Sequence, residues 1–407
     1  MLFSKSFIPT TREVPKDIEA KSHIMALRAG LLYMASAGIY SYLPLGYKIL
    51  RKIESIIRKH MNATGAQELF MSALQPIDIW EKTGRDKTLS EVMVRFKDRR
   101  GRDLCLGPTH EEMITEIVKK YVFSYKQLPL TLYQIQTKFR DEPRPRFGLL
   151  RTCEFIMKDA YSFDATEAGL TENYQKMLAA YQNIFKECGL NFVMIEADSG
   201  AMGGSVSHEF LVEAAIGEDI LYYCPGCNKY GKTEGSCLTC QGAMSARTMI
   251  EIGHIFKLGT KYSLAQEALF LNREGARLPL IMGCYGIGVS RLLPAIIETN
   301  SDDKGIIWPA SVSPFDATVV VVGESLTSQA LTLADVLTKE GFDILVDERN
   351  ESAGVKFNDA LLLGNPYTLI IGKGYAASGK IDVEARATKE KVSLTQEELI
   401  TFLHEKR

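Results

Sequence analysis

The hydrophobic positions change period several times along the chain. Ile24, Leu27 and Leu31 share one stripe and predict a helix over residues 17–36. Between 47 and 60, Ile49, Leu50, Ile53, Ile56 and Ile57 fall on one face, with Lys48, Arg51, Lys52, Arg58 and Lys59 on the other. A strand, QELFMSALQP, follows and ends at Pro76. DLCLGPTHEEMITEIVKKYV turns from strand to helix near Thr109, and KFRDEPRPRFGLLRTCEFIMKD reads as strand, proline-rich loop, strand. A helix around 170–187 precedes ADSGAMGGSVSHEF and a cysteine-rich stretch. EIGHIFKLGTKYS is a return strand, and RLPLIMGCYGIGVSRLLPAIIE a buried strand, glycine turn and helix. After WPASVSPFD, VVVVG, a helix near 327–340, FDILVD, a helix near 354–363, YTLIIG and IDVEA alternate. That alternation predicts a small α/β domain with a mostly parallel sheet, bounded near Pro309 to Pro314. The chain as a whole is α+β.

Side chains two or four apart on a strand share a face. Arg140 and Glu142 therefore lie together, as do Arg151, Phe155 and Asp159. Guanidinium forks for phosphate oxygens, a ring to stack on a base and a carboxylate to accept from an exocyclic amine together suit a nucleotide.

A chain of 407 residues is long enough for two or three domains. Its 46% hydrophobic and 24% charged residues are those of a globular protein, with no apolar run of about 18 residues to span a membrane. MLFSKSFIPTTREVPKD has no apolar core and so does not read as a secretory signal. The net charge of −2 excludes global attraction to nucleic acid, so any RNA contact would be local. From Asp316 onward ten Lys/Arg face fifteen Asp/Glu. Eight cysteines, half of them scattered, fit a reducing compartment, and cytoplasm is the expectation.

Three further clusters carry chemistry. Thr109 and Glu112 fit a capping box at a helix start, which leaves Glu111 without a structural reason. Gly283 to Arg291, GCYGIGVSR, lacks the third glycine and downstream acid of a dinucleotide fold. Cys224-Pro-Gly-Cys227 and Cys237-Leu-Thr-Cys240, nine residues apart, have the spacing of a structural four-thiolate Zn²⁺ site; the other reading is four free thiols. GYAASGK, 374–380, nearly fits a phosphate loop, but Ile381 replaces the Ser/Thr and a strand follows, so it reads as a turn.

Arg140-x-Glu142, a loop, then Arg151-x-x-x-Phe155 resembles motif 2 of the class II aminoacyl-tRNA synthetases. The flanks QTKFRDEPRPRFGLLR and EFIMKDAYSFD resemble the bacterial-type prolyl-tRNA synthetases. GCYGIGVSR then resembles motif 3, and the helix and strand ending at Pro76 resemble motif 1, which in that family builds a homodimer interface. The resemblance implies a class II catalytic core with an antiparallel sheet over 1–222 and 249–312. A short Cys-rich insertion over 223–248 would replace the editing domain, and an anticodon-binding domain would fill 313–407. It implies ATP with Mg²⁺, proline and tRNA(Pro) as substrates. It assigns ATP to Arg140, Glu142, Arg151, Phe155, Gly286, Gly288 and Arg291, with Arg140 and Arg291 catalytic. It assigns proline to Thr109, Glu111, Arg140, Gly204, Ser205 and His208. About seventy residues separate His208 from Gly283, so the chain resembles the short, insertion-free subfamily. It departs at Cys153, where relatives often carry a basic residue. A threonyl or glycyl specificity and a non-catalytic RNA-binding paralogue are the alternatives. The Thr-His-Glu loop and the segment GGSVSHEF, 203–210, oppose the first, and the presence of Arg140, Glu142 and Arg291 opposes the second.

Overall fold

The computed structural model describes residues 1–15, 18–198 and 200–406. Contacts divide the chain into two units. One is Ser36–Ile39 with Glu54–Ala295; the other is Met1–Ala35, Tyr40–Ile53 and Ile296–Arg407.

The first unit is built on a nine-stranded sheet. Along its main path run Lys229–Gly231, Asp219–Cys224, Ser245–Gly259, Ile281–Gly288, Glu154–Asp164, Leu130–Phe139 and Gln67–Glu68. Val206–Glu213 pairs with Ser245–Gly259 and with Val193–Ala197. All pairings are antiparallel except that of Gln67–Glu68 with Leu130–Phe139. Helix Glu167–Glu187, capped by the Thr166 hydroxyl, packs Tyr181 and Phe185 against one face. The alternation of Glu154–Asp164 sorts its side chains. Lys158 points to the helix side and donates to Tyr181 Oη and Tyr285 O, while Phe155, Met157 and Asp159 face the other way into a cavity.

In the second unit, five strands run in the order Ile344–Asp347, Ala317–Val321, Tyr367–Ile371, Ile381–Ala385, Lys391–Leu394. Only the first two pairings are parallel, so the sheet is mixed rather than mostly parallel. Its core is the apolar set Val319, Val321, Leu333, Leu337, Ile344, Leu369, Ile371 and Leu399. The closing helix Gln396–Glu405, which the apolar pattern did not announce, starts with a capping box of Thr395 and Glu398.

Several expected elements differ. The helix over 17–36 is shorter, Lys21–Arg28, followed by a strand Leu32–Ser36; residue 17 lies outside the described residues. Gly30 ends the helix at φ 64, where a Cβ would meet Pro9 Cδ at 2.8 Å. QELFMSALQP is two short strands, Gln67–Glu68 and Leu74–Pro76, in different sheets. Most of GYAASGK lies in a six-residue helix, Lys373–Ser378, rather than in a turn, before the strand Ile381–Ala385. Among the described residues no helix is long and apolar enough to cross a membrane.

Candidate active site

The floor of the first unit's cavity is a run of even-numbered and odd-numbered positions on paired strands. Gly286 faces Asp159 and Gly288 faces Met157 across the sheet, so Cys284, Gly286 and Gly288 share a face with Met157 and Asp159. The enclosed space is about 520 Å³, the size of a small-molecule site. A Cβ on Gly286 would make only ordinary contacts, at 3.9 Å, so glycine there is not demanded by packing; it keeps the floor open.

Arg140 and Glu142 lie just beyond the strand Leu130–Phe139 rather than inside it, and Arg151 precedes Glu154–Asp164. The pairing persists irregularly, with Arg140 N–H donating to Cys153 O at 2.9 Å and a bridge between Arg146 and Arg151. The shared-face expectation for Arg140, Glu142, Arg151 and Phe155 survives in space, since all four line the cavity. The Arg140 guanidinium sits 5.1 Å from the Phe155 ring centroid. Among the described residues it has no hydrogen bond or ion pair, and burial and the neighbouring Arg291 pull its pKa below the usual guanidinium value. It is a half-buried cation, open to an anion. Arg291, in the first turn of helix Val289–Thr299, is held by Leu150 O at 3.1 Å and Glu251 O at 3.0 Å. Burial opposes the Glu251 charge, but the His254 hydrogen bond, Arg291 and Arg140 together keep its carboxyl below the ordinary range. Arg151 forks between Glu142 at 2.8 Å and Glu218 at 2.7 Å.

The other end of the cavity is acidic. Thr109 is not a helix cap: the N-cap of Glu111–Tyr121 is His110, and the Thr109 hydroxyl donates to Glu111 Oε2 at 2.7 Å. Glu111 is buried, accepts the Cys284 thiol at 3.2 Å and bonds Arg85 at 3.0 Å. Desolvation works against its charge, yet Arg85, Thr109 and Cys284 hold its pKa below the ordinary carboxyl value. His110 is turned away, its Nε2 on Ser72 O; burial and then Lys138 lower its pKa to about 4, so it is neutral near pH 7.

Thr109, Glu111, Arg140, Glu142, Arg151, Phe155, Gly286, Gly288 and Arg291 thus converge, whereas Gly204, Ser205 and His208 do not line the cavity. His208 is engaged through Nδ1 with Tyr174 Oη at 2.7 Å. Gly204, at φ 107, is fixed by the backbone, since a Cβ would stand 2.0 Å from Lys257 O. Met202 of the same segment does reach the cavity. Arg85, Met202, Glu218, Glu251, His254 and Cys284 also line it. Of these only Cys284 carried a readable signal, its even spacing from Gly286 and Gly288.

Away from the cavity, the Sγ atoms of Cys224, Cys227, Cys237 and Cys240 all lie within 4.8 Å of one another.

Residues 94–300 match the family described as tRNA synthetase class II core domain (G, H, P, S and T), and residues 316–406 match the anticodon binding domain. A proline–tRNA ligase of Maricaulis maris is 42% identical over 439 residues, covering 100% of this chain and 99% of that one. One from Syntrophus aciditrophicus is 36% identical, covering 96% and 95%. This chain belongs to the proline–tRNA ligase family. Its reaction is the ATP-dependent joining of proline to tRNA, and the expected class II core and anticodon-binding domain are both present. The Syntrophus alignment runs over 550 positions against 407 residues here, so that relative carries a long stretch without counterpart in this chain. The fold is shared with solved structures at low identity. Giardia lamblia prolyl-tRNA synthetase in complex with prolyl-adenylate has a TM-score of 0.79 at 19% identity, covering 93% of this chain and 75% of that one. The Cryptosporidium parvum enzyme complexed with halofuginone and AMPPNP has a TM-score of 0.80 at 18% identity, covering 95% and 77%.

Proposed function

We propose that the cavity is where proline and ATP meet and where each lining residue has a defined task. The observation that carries this is polarity: a half-buried guanidinium, Arg140, with no ion pair among the described residues, faces one half, and a buried carboxylate, Glu111, the other. An amino acid is a cation and an anion a short distance apart, and it fits that polarity end to end. Thr109 and Glu111 take the secondary ammonium of proline, being the hydroxyl and carboxylate acceptors that such a cation needs. Arg140 bridges the proline carboxylate and the α-phosphate. Phe155 stacks on adenine, Glu142 accepts from its exocyclic amine, and Gly286 and Gly288 let the nucleoside lie close to the backbone. Arg151 and Arg291 grip the terminal phosphates. Mg²⁺ accompanies the triphosphate, and Glu218 and Glu251, the carboxylates beside those two arginines, are the hard oxygen donors on that wall. Gly204, Ser205 and His208 shape the proline end from behind, through the segment that carries Met202.

An oxygen of the proline carboxylate attacks the α-phosphorus, the bond to the bridging oxygen breaks, and pyrophosphate leaves. A terminal ribose hydroxyl of the tRNA then attacks the prolyl carbonyl, and AMP leaves. No side chain forms a covalent bond; the work is alignment and neutralisation of charge that grows on pyrophosphate.

The second unit reads the tRNA anticodon. Its cavity of about 280 Å³ offers Phe357 for stacking, Glu384 for a base edge, and Lys304, Lys389 and Lys391 for phosphates. The four clustered cysteines hold a structural Zn²⁺, leaving no open position for water. The working enzyme is a cytoplasmic homodimer.

The test is ATP–pyrophosphate exchange with each of the twenty amino acids, without tRNA. Proline is expected to be strongest, with alanine and cysteine weak. A different best amino acid overturns the proline assignment, and silence with all of them overturns activation without tRNA.

A further inference from the structure

Arg85 opens a four-residue helix, Arg85–Thr88, after Gly84 at φ 71, and only 2% of it is exposed. A buried arginine in so short an element needs a reason. Its Nη1 reaches Glu111 Oε2 at 3.0 Å and Glu112 Oε2 at 3.0 Å, and its Nη2 reaches Met202 Sδ at 3.3 Å. The rings of Trp80 and Tyr262 flank it, each 5.3 Å away. We propose that Arg85 is the positioning residue of the ammonium end of the cavity, one guanidinium that ties Glu111, Glu112 and Met202 into a single wall. This rests on the reading of Thr109 and Glu111 as the ammonium site.

The oxygens of Glu111 are used unequally. Oε2 accepts from Thr109 and from Arg85, while among the described residues Oε1 receives only the weak thiol donor of Cys284. Arg85 therefore turns the carboxylate so that Oε1 is left for a substrate N–H. It is also the cation that two adjacent buried acids share. Arg85 favours the charge on both; burial and the Glu111 charge nevertheless push Glu112 up, while Arg85 with the Thr109 and Cys284 hydrogen bonds holds Glu111 down. Two buried carboxyls with no cation between them would share a proton instead. Other groups act on Glu111 from the elements around it. Lys138, itself paired with Asp159, and Tyr161 come from the sheet, Arg140 and His110 from the loops, and Lys261 and Tyr262 from the facing helix. Lys138 is already paired with Asp159 at 2.7 Å, so it does not replace Arg85.

The experiment is steady-state exchange on the full chain between about pH 6 and about pH 8, varying proline and ATP separately. Arg85→Met is expected to raise the proline KM about tenfold or more, increasingly as the pH falls, with the ATP KM little changed. In Arg85→Met with Glu112→Gln, where the competing carboxyl is gone, much of that pH dependence disappears. Arg85→Lys keeps a cation but not the fork; its proline KM rises several-fold with a flat pH profile. A proline KM at the wild-type level in Arg85→Lys overturns the inference, and that variant decides the matter if Arg85→Met does not fold. A pH-independent loss in Arg85→Met, shared equally by both substrates, also overturns it, since that is what a merely structural residue gives. Glu111→Gln separates the two claims. If it leaves the proline KM unchanged, the ammonium site itself is misassigned; if it raises that KM while the Arg85 variants do not, only Arg85 is.

Discussion

Arg151 Nε stands 2.8 Å from Glu142 Oε2, so the two ends of the expected nucleotide site hold each other in place before any ligand arrives. Arg151 is 40% exposed in its side chain and also pairs with Glu218, so its contribution to stability is small. Its contribution to ATP is larger, because a fork fixed by two carboxylates meets phosphate oxygens without first being ordered. Arg151→Ala should therefore raise the ATP KM about tenfold or more while the proline KM and the melting temperature stay near wild type. Equal losses for both substrates would remove Arg151 from the phosphate end.

Arg140 has no such partner. A half-buried cation beside the Phe155 ring, its charge disfavoured by that burial, gains its compensation only when an anion binds. Arg140→Ala should abolish proline-dependent pyrophosphate exchange while the protein stays folded, because the guanidinium makes no hydrogen bond or ion pair among the described residues that the fold would lose. Near-normal exchange would contradict the role given to it.

How much of this could be read in the chain depends on whether a function follows from local spacing. Arg140, Glu142, Arg151, Phe155 and the glycines 286 and 288 follow from a two-residue period and a turn, and all reach the cavity. Arg85 follows from nothing local: its burial arises because Glu111, Glu112, Trp80 and Tyr262 come from other elements to meet it. Thr109 was open to a capping role because its spacing to Glu112 is right; the hydroxyl instead bonds Glu111, two residues away. His208 was expected in the amino-acid pocket, but its strand position directs it to Tyr174, which no one-dimensional pattern reveals.

The four cysteines make a separate prediction. Their sulfurs are close enough for one ion, and none of them lines the cavity. Protein purified without chelator should contain about one zinc per chain. Cys227→Ser should lose the metal and lower the melting temperature, while exchange at low temperature stays within a few-fold of wild type. Metal-free wild-type protein with an unchanged melting temperature would leave four free thiols.

Between strands Val206–Glu213 and Ser245–Gly259 the chain has room for two short strands and the cysteine cluster, and no large domain. A cavity that accepts proline separates it from alanine by one or two methylenes, worth only about 10–200-fold each. Alanine should therefore support measurable exchange, and alanyl-tRNA should persist in the presence of this chain alone. Rapid deacylation by the purified chain would place a hydrolytic site somewhere in it.

Asp164 provides the clearest pH dependence. It is almost fully buried; Asn173 Nδ2 donates to Oδ1 at 2.6 Å, while Oδ2 has no hydrogen-bond partner among the described residues. Burial raises its pKa to about 6, against the Asn173 hydrogen bond that favours the charge. A carboxyl raised in the folded state stabilises the fold only when protonated. Its contribution is full below the unfolded pKa of about 4 and is lost as the pH rises through about 6. Above that, the buried charge costs about 2–3 kcal/mol. Asp164→Asn keeps an oxygen for Asn173 and removes the charge. It should raise stability at about pH 8 by about 1–2 kcal/mol, and the gain should shrink towards zero near about pH 4. Urea unfolding of both proteins at the two pH values measures this. A gain that does not depend on pH, or a loss at the higher pH, would mean that the Asp164 carboxylate is better satisfied than its burial implies.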